Sequence, residues 1–157
     1  MRSPLHALLD EPDFPEGQVW RRAGFGARDT IVLEGEQARD VYLILSGTVE
    51  VRGTVELEDQ RRVHPGFCEL HAGQIFGELC LFDDEPRSAS VVALTDCEIA
   101  IVDGQSLLAY LDLHPAQGYF VLRHIVQTLV ERLRTANRRF LSVFSWGLKA
   151  HQIDRHL

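Results

Sequence analysis

Phe76-Gly77-Glu78-Leu79-Cys80-Leu81-Phe82, followed shortly by Pro86-Arg87-Ser88-Ala89-Ser90-Val91, is the stretch on which the reading of this chain turns. A glycine ahead of Glu78 predicts one short helical turn whose N–H groups and positive end can face an anion. Glu78, the first acid inside that turn, offers a carboxylate that accepts hydrogen bonds from a sugar hydroxyl. Arg87 adds a planar fork of donors matched to phosphate oxygens, and Pro86 fixes the approach of its loop. The set suits a ribose joined to a phosphate. Each residue also has a plainer role open to it. Arg87 stands near Asp83, Asp84 and Glu85 and could form a surface ion pair, worth about 0 to 1 kcal/mol. Glu78 could merely offset a helix dipole, worth roughly 0.3 to 1 kcal/mol. Their co-occurrence favours the ligand, because neither the carboxylate nor the guanidinium explains the other without one.

These residues resemble the phosphate-binding cassette of the cyclic nucleotide-binding domain family, which reads roughly F-G-E-L-A-L, a short variable loop, then P-R-x-A. The likeness extends outward to Glu34-Gly35-Glu36, to Val41–Leu45 followed by Ser46-Gly47-Thr48-Val49-Glu50-Val51, and to Gly73, covering about Val19 to Arg139. The resemblance implies that Glu78 holds the ribose 2′-hydroxyl and that Arg87 pairs with the cyclic phosphate. Gly77, Leu79 and Ala89 would give backbone contacts, and Phe76, Cys80, Pro86 and Ser88 complete the expected ligand-binding set. Cys80 stands where the family usually has alanine or glycine, and a small thiol packs much as alanine does. Ser88 occupies a position that is alanine in many cyclic AMP-binding kinase regulatory subunits, and serine or threonine in bacterial regulators and cyclic GMP binders. Cyclic AMP is therefore the first expected ligand, and cyclic GMP the second, through a bond from Ser88 to the guanine amino group. No cofactor or metal is expected.

Composition is compatible with this and with little else. The chain has 157 residues, 45% of them apolar, enough for a single core. We expect a helical or loop segment over 1–18, a β-roll binding domain over 19–103, lid or dimerisation helices over 104–140 and an apolar tail over 141–157. Met1–Leu9 carries only Arg2 and is broken by Pro4, so no targeting pattern is expected there. No apolar run nears the roughly 18 residues of a membrane span, and a cytoplasmic location is expected. Cys68, Cys80 and Cys97 are odd in number with no C-x-x-C, against a disulfide framework or a zinc knot. The seven histidines show no ligand spacing, including the H-x-H clusters with which cupin-type rolls hold metal. No catalytic constellation is present, so an enzyme is not expected.

Eight short stretches rich in branched residues, separated by Gly, Asp or Pro, read as strands: 19–25, 30–33, 41–45, 48–52, 54–57, 63–70, 89–93 and 98–102. They predict a mainly β fold with flanking helices, an eight-stranded jelly roll or double-stranded β-helix followed by a long C-terminal helix. Val41, Leu43 and Leu45 alternate with Tyr42 and Ile44, as for a sheet with one core face and one partly covered face. Ser3–Asp10 could form a short helix. After Asp103-Gly104 the period becomes helical through Leu107, Leu108 and Leu111, and Pro115 suits the first turn of a second helix. There Leu122, Val126, Leu129, Leu133, Ala136 and Phe140 recur at four-three spacing, which serves either a core face or a homodimer seam along 115–140. In related regulators the equivalent helix pairs with its twin and closes over the base; here Thr135, Asn137 and Arg138 would be the polar contacts.

Charge is uneven: residues 1–120 carry 9 basic and 21 acidic residues, residues 121–157 carry 7 and 2. Arg132, Arg134, Arg138 and Arg139 could meet nucleic acid or an acidic partner, or form a solvated face beside an acidic body. Bacterial members usually continue into a helix-turn-helix, for which Leu141–Leu157 is too short, so direct nucleic-acid binding is not expected. Its apolar residues Leu141, Val143, Phe144, Trp146 and Leu148 suit docking on the body or on a partner. The expectation is a stand-alone cyclic nucleotide sensor, dimeric through the long helix, that signals to an effector protein not named by the sequence. The alternatives are a ligand-free interaction domain of the same fold and the sensor part of a DNA-binding regulator.

Overall fold

The computed structural model describes residues 2–151. A short helix α1 (Pro4–Leu8) opens the chain, with Pro4 in its first turn and the Ser3 hydroxyl accepting from the His6 N–H at 3.2 Å. Ten strands follow among the described residues: β1 (Trp20–Phe25), β2 (Thr30–Val32), β3 (Asp40–Ser46), β4 (Thr48–Arg52), β5 (Val55–Glu56), β6 (Arg62–Val63), β7 (Gly66–His71), β8 (Ile75–Phe76), β9 (Ser90–Ala93) and β10 (Cys97–Asp103). Two helices close the sequence, α2 (Gly104–Leu113) and α3 (Pro115–Ala150).

The strands form two antiparallel four-stranded sheets, ordered β1-β10-β3-β8 and β2-β9-β4-β7, with β5 and β6 as a separate hairpin. One apolar cluster draws Tyr42, Ile44, Phe76, Ile99 and Ile101 from the first sheet and Val32, Val49, Leu70, Val91 and Ala93 from the second, so the core lies between them. This is the expected mainly β roll, with ten strands in place of eight. Pro65 accounts for one difference. It has no N–H to give a ladder, so the predicted 63–70 strand is divided, and its carbonyl instead accepts from Gly53 N–H at 3.1 Å. The other is Ile75–Phe76, too short to carry a period, which pairs with Leu43 and Tyr42 of β3.

β3 departs from simple alternation, since Val41, Tyr42, Leu43 and Ile44 are all buried. Tyr42 and Ile44 face the space between the sheets. Val41 and Leu43 are not part of that cluster yet are fully buried, and α2 packs on the neighbouring strand β10. Burial on both faces of β3, with α2 against its neighbour β10, is something strand periodicity alone could not foresee.

The chain divides between Tyr119 and Phe120 into two compact units. In the first, α2 starts at Asp103, whose carboxylate accepts from Ser106 N–H at 2.7 Å, and Pro115 opens α3 as predicted. The second unit is the body of α3. The expected boundary at Phe140 is not a structural break: the helix runs on to Ala150, because the only weak helix former between Phe140 and Ala150 that could break it is Gly147, and one glycine costs a helix only about 1 kcal/mol. The end of the expected tail, 152–157, lies outside the described residues. Val121 and Ile125 are buried, at 2% and 1% exposure, whereas Leu122, Val126, Leu133, Ala136 and Phe140 of the predicted stripe are exposed, Leu133 to 61%.

The β3–β4 turn depends on Gly47, at φ +91°, where an added Cβ would lie 2.5 Å from the Asp96 carbonyl oxygen and 2.6 Å from Cys97 Sγ. Gly47→Ala combines a left-handed backbone with a clash against main chain, and should lower stability by about 1 to 3 kcal/mol in urea denaturation. An unchanged midpoint would contradict this packing.

Candidate functional site

The end of β8 leads directly into the cassette. Phe76 is paired in the sheet, Gly77 then turns the backbone at φ +74°, ψ 9°, and Glu78–Leu81 form a single 3-10 turn. A side chain at Gly77 would be both left-handed and crowded, with its Cβ 2.9 Å from Arg87 Nη1, 3.0 Å from Tyr42 Cδ2 and 3.1 Å from the Asp40 carbonyl oxygen. The glycine thus lets main chain, arginine and tyrosine meet at one point.

Arg87 returns to that point from the loop ahead of β9. Its Nη1 donates to the Gly77 carbonyl at 2.9 Å and its Nη2 to the Asp40 carbonyl at 2.7 Å. Cζ lies 5.6 Å from the centroid of the Tyr42 ring, within cation–π range. The side chain is 8% exposed and its Nε is buried without a hydrogen-bond partner. The surface ion pair that sequence proximity allowed does not form at Arg87; Arg39 takes that role, with Nη2 2.6 Å from Asp84 Oδ1. Glu78 is equally buried, at 3% exposure, which is not the setting of a solvated acid that only offsets a dipole.

The arginine's own main chain is pinned as well. Its N–H donates to the Glu36 carbonyl at 2.9 Å, and Gly35 N–H donates to its carbonyl at 2.9 Å. Ser90 Oγ accepts from Glu34 N–H at 2.9 Å. The segment Glu34-Gly35-Glu36, which in sequence only preceded a strand, is therefore the brace of the arginine loop. Asp40 and Tyr42 were missed entirely: Asp40 acts through its carbonyl, which no side-chain pattern can signal, and Tyr42 reads simply as a strand residue.

Electrostatics follow from this burial. Desolvation raises the Cys80 thiol above its usual range, and the adjacent Arg87 guanidinium partly offsets it. Tyr42 is likewise pushed up by burial and drawn back by Arg87. A buried cation held by carbonyl dipoles and a ring face, with its Nε–H left without a partner, is chemically prepared to take an oxyanion.

Phe76, Gly77, Glu78, Cys80 and Arg87 thus come together on one cassette, with Ala89 partly buried, while Leu79, Pro86 and Ser88 are exposed. Thr135, Asn137 and Arg138 belong to the second unit, where Arg138 Nη2 donates to Thr135 Oγ1 at 3.3 Å. A cavity of about 240 Å³ lies beside the cassette, lined by Cys80, Leu81, Phe82, Gly104 and Leu108 among others. A larger one, about 500 Å³, lies away from it beside α1, β1 and β3, and its charges pair with one another, Arg2 with Asp10 at 3.0 Å and Arg22 with Glu16 at 3.8 Å. That self-neutralisation makes it a poor rival for the cassette. Among the described residues no cluster of three or more His, Cys, Asp or Glu could hold a metal, all three cysteines are free, and no helix is long and apolar enough to cross a membrane.

Comparison with known proteins agrees with this geometry. Residues 23–114 match the family model described as cyclic nucleotide-binding domain. The chain is 33% identical over 136 residues to the cyclic AMP receptor protein of Thermus thermophilus, covering 86% of this chain and 59% of that protein. It is 38% identical over 99 residues to a cAMP-dependent protein kinase regulatory subunit of Aspergillus fumigatus, covering 63% of this chain and 20% of that one. Among solved structures it is similar to a cyclic nucleotide-binding domain from Methylobacillus flagellatus, with a TM-score of 0.68 and 28% identity over 78% of this chain and 67% of the other. The chain spans about half the length of the bacterial regulators it matches.

Removing the guanidinium leaves the Gly77 and Asp40 carbonyls without their partner. Arg87→Ala should therefore lower the unfolding free energy of the ligand-free protein by about 1 to 3 kcal/mol, read from urea titration. A variant as stable as the parent would show that the clamp carries no weight.

Proposed function

The chain belongs to the cyclic nucleotide-binding domain family, and from that premise we propose that it is a non-enzymatic sensor that binds cyclic AMP and passes its bound state to a partner protein through α3. The observation that carries this is the buried Arg87 guanidinium with an unpartnered Nε, set on the same short cassette as the buried carboxylate of Glu78. Arg87 takes the cyclic phosphate through charge-assisted bonds, and Glu78 accepts from the ribose 2′-hydroxyl. Gly77, Leu79 and Ala89 supply main-chain contacts, while Phe76, Cys80, Pro86 and Ser88 shape the remainder. Cyclic GMP is the runner-up ligand, since the exposed Ser88 hydroxyl is available to a guanine amino group.

Thr135, Asn137 and Arg138 are assigned to the base, as a lid contributed by α3. Ligand contacts that exist only when cassette and helix are closed favour that state by their differential free energy, and helix movement is then the output. The stripe Leu122, Val126, Leu129, Leu133, Ala136 and Phe140, exposed except for the half-buried Leu129, is assigned to a homodimer seam, since apolar side chains at four-three spacing left exposed are what a coiled-coil partner covers. A second reading, the sensor part of a DNA-binding regulator, is favoured by one fact: the chain spans only 59% of the Thermus regulator.

Isothermal titration with cyclic AMP and cyclic GMP in parallel tests the assignment. The parent chain should bind cyclic AMP the tighter, and Arg87→Ala should weaken binding about tenfold to a hundredfold, the equivalent of roughly 1.5 to 3 kcal/mol of charged hydrogen bonding. Absence of heat and of thermal shift with both nucleotides would instead favour a ligand-free interaction domain. For the seam, Leu133→Glu places a charge in the apolar stripe and should turn a dimer into a monomer in light scattering. A parent chain that is already monomeric would defeat the dimer assignment.

A further inference from the structure

Tyr42 lies far from the cassette in sequence, on β3, yet its ring is the third wall around the Arg87 guanidinium. We infer that Tyr42 is a positioning residue for Arg87, its face setting the tilt of the guanidinium so that Nε is presented to the phosphate; this rests on the nucleotide reading of Arg87. The two carbonyl bonds, from Nη1 to Gly77 and from Nη2 to Asp40, anchor one edge of the guanidinium. They leave the plane free to pivot about the line through the two Nη atoms, and Nε is the atom such a pivot swings furthest. A ring face with Cζ 5.6 Å from its centroid removes that freedom, because cation–π attraction is strongest over the ring.

The ring itself cannot retreat. Tyr42 is the cross-strand partner of Phe76, and the two rings stack with centroids 4.8 Å apart and planes 2° from parallel. Phe76 immediately precedes Gly77, whose carbonyl accepts from the same guanidinium. The absent Cβ of Gly77 would meet both Tyr42 Cδ2 and Arg87 Nη1, so tyrosine, arginine and turn form one closed packing unit. Sheet register, through Phe76 and Tyr42, thus sets the aim of the phosphate-binding donor.

A double-mutant cycle read by cyclic AMP titration separates positioning from general packing. Tyr42→Leu should weaken binding roughly tenfold in the parent chain, the loss expected for a desolvated cation–π contact. In an Arg87→Lys background, which lacks the planar fork and Nε, the same substitution should cost little more. Tyr42→Phe, which keeps the ring, should restore most of the affinity. Equal losses in both backgrounds would overturn the inference while leaving the nucleotide reading intact. A parent chain that binds no nucleotide would sink both. Should Tyr42→Leu fail to fold, the proton resonance on Arg87 Nε in the ligand-free parent decides, assigned by its disappearance in Arg87→Lys. A ring-current shift upfield supports the contact, and an unshifted resonance overturns it.

Discussion

Everything around the cassette is organised by one constraint: a guanidinium is buried with carbonyl oxygens and a ring face as its neighbours. Desolvating a cation costs several kcal/mol after relaxation, and the cost must be met by interactions of good geometry. Here two carbonyls at 2.9 and 2.7 Å and the Tyr42 ring meet it in part. The carbonyls come from opposite sides, Asp40 at the start of β3 and Gly77 just past β8. The arginine therefore ties together two points that the adjacent strands already hold in register.

That dependence explains features that would otherwise look unrelated. The left-handed Gly77 aims its carbonyl at the guanidinium and leaves space for it. The Gly35–Glu36 turn holds the arginine's own N–H and carbonyl, so the loop carrying it does not rely on its side chain alone. The Tyr42–Phe76 stack puts aromatic faces where an aliphatic pair would leave the cation with less attraction. Sheet, turn and loop are separate in sequence but share one electrostatic task.

The cassette was legible in sequence because its parts are local: glycine, acid and arginine lie within one short segment, and each residue type carries its chemistry by itself. The roll was legible because branched residues between Gly, Asp and Pro mark strands. What escaped depends on contacts across the chain. Asp40 contributes main chain, Tyr42 looks like any β residue, and Ile75–Phe76 is too short for a period to emerge. Pro65 divided a run whose apolar character continued across it. At α3 the spacing leaves a core face and a dimer seam equally open for the Leu122–Phe140 stripe, whereas the buried pair is Val121 and Ile125, one position before Leu122 and Val126, and a shift of one residue turns a helix face by about 100°. The end at Phe140 was misplaced because an apolar cluster around Gly147 resembles a change of structure, while backbone physics allows the helix to continue.

The burial of Arg87 against main-chain carbonyls has a consequence for how such a sensor would signal. A donor already held in place loses little conformational freedom on binding, so affinity gains from preorganisation rather than from ordering the arginine. If those contacts persist in both states of the sensor, they limit the arginine's role as a switch, because a group equally well placed in two states contributes equally to both and shifts neither. Differential free energy must then come from groups whose contacts change. On the proposed function these are the exposed parts of the cassette, Leu79 and Phe82, and the polar residues of α3, which have contacts still to gain. On the proposed function, recognition and signalling would accordingly reside in different residues: the buried pair Arg87 and Glu78 would select the ligand, and the exposed apolar rim with the long helix would convert its presence into movement.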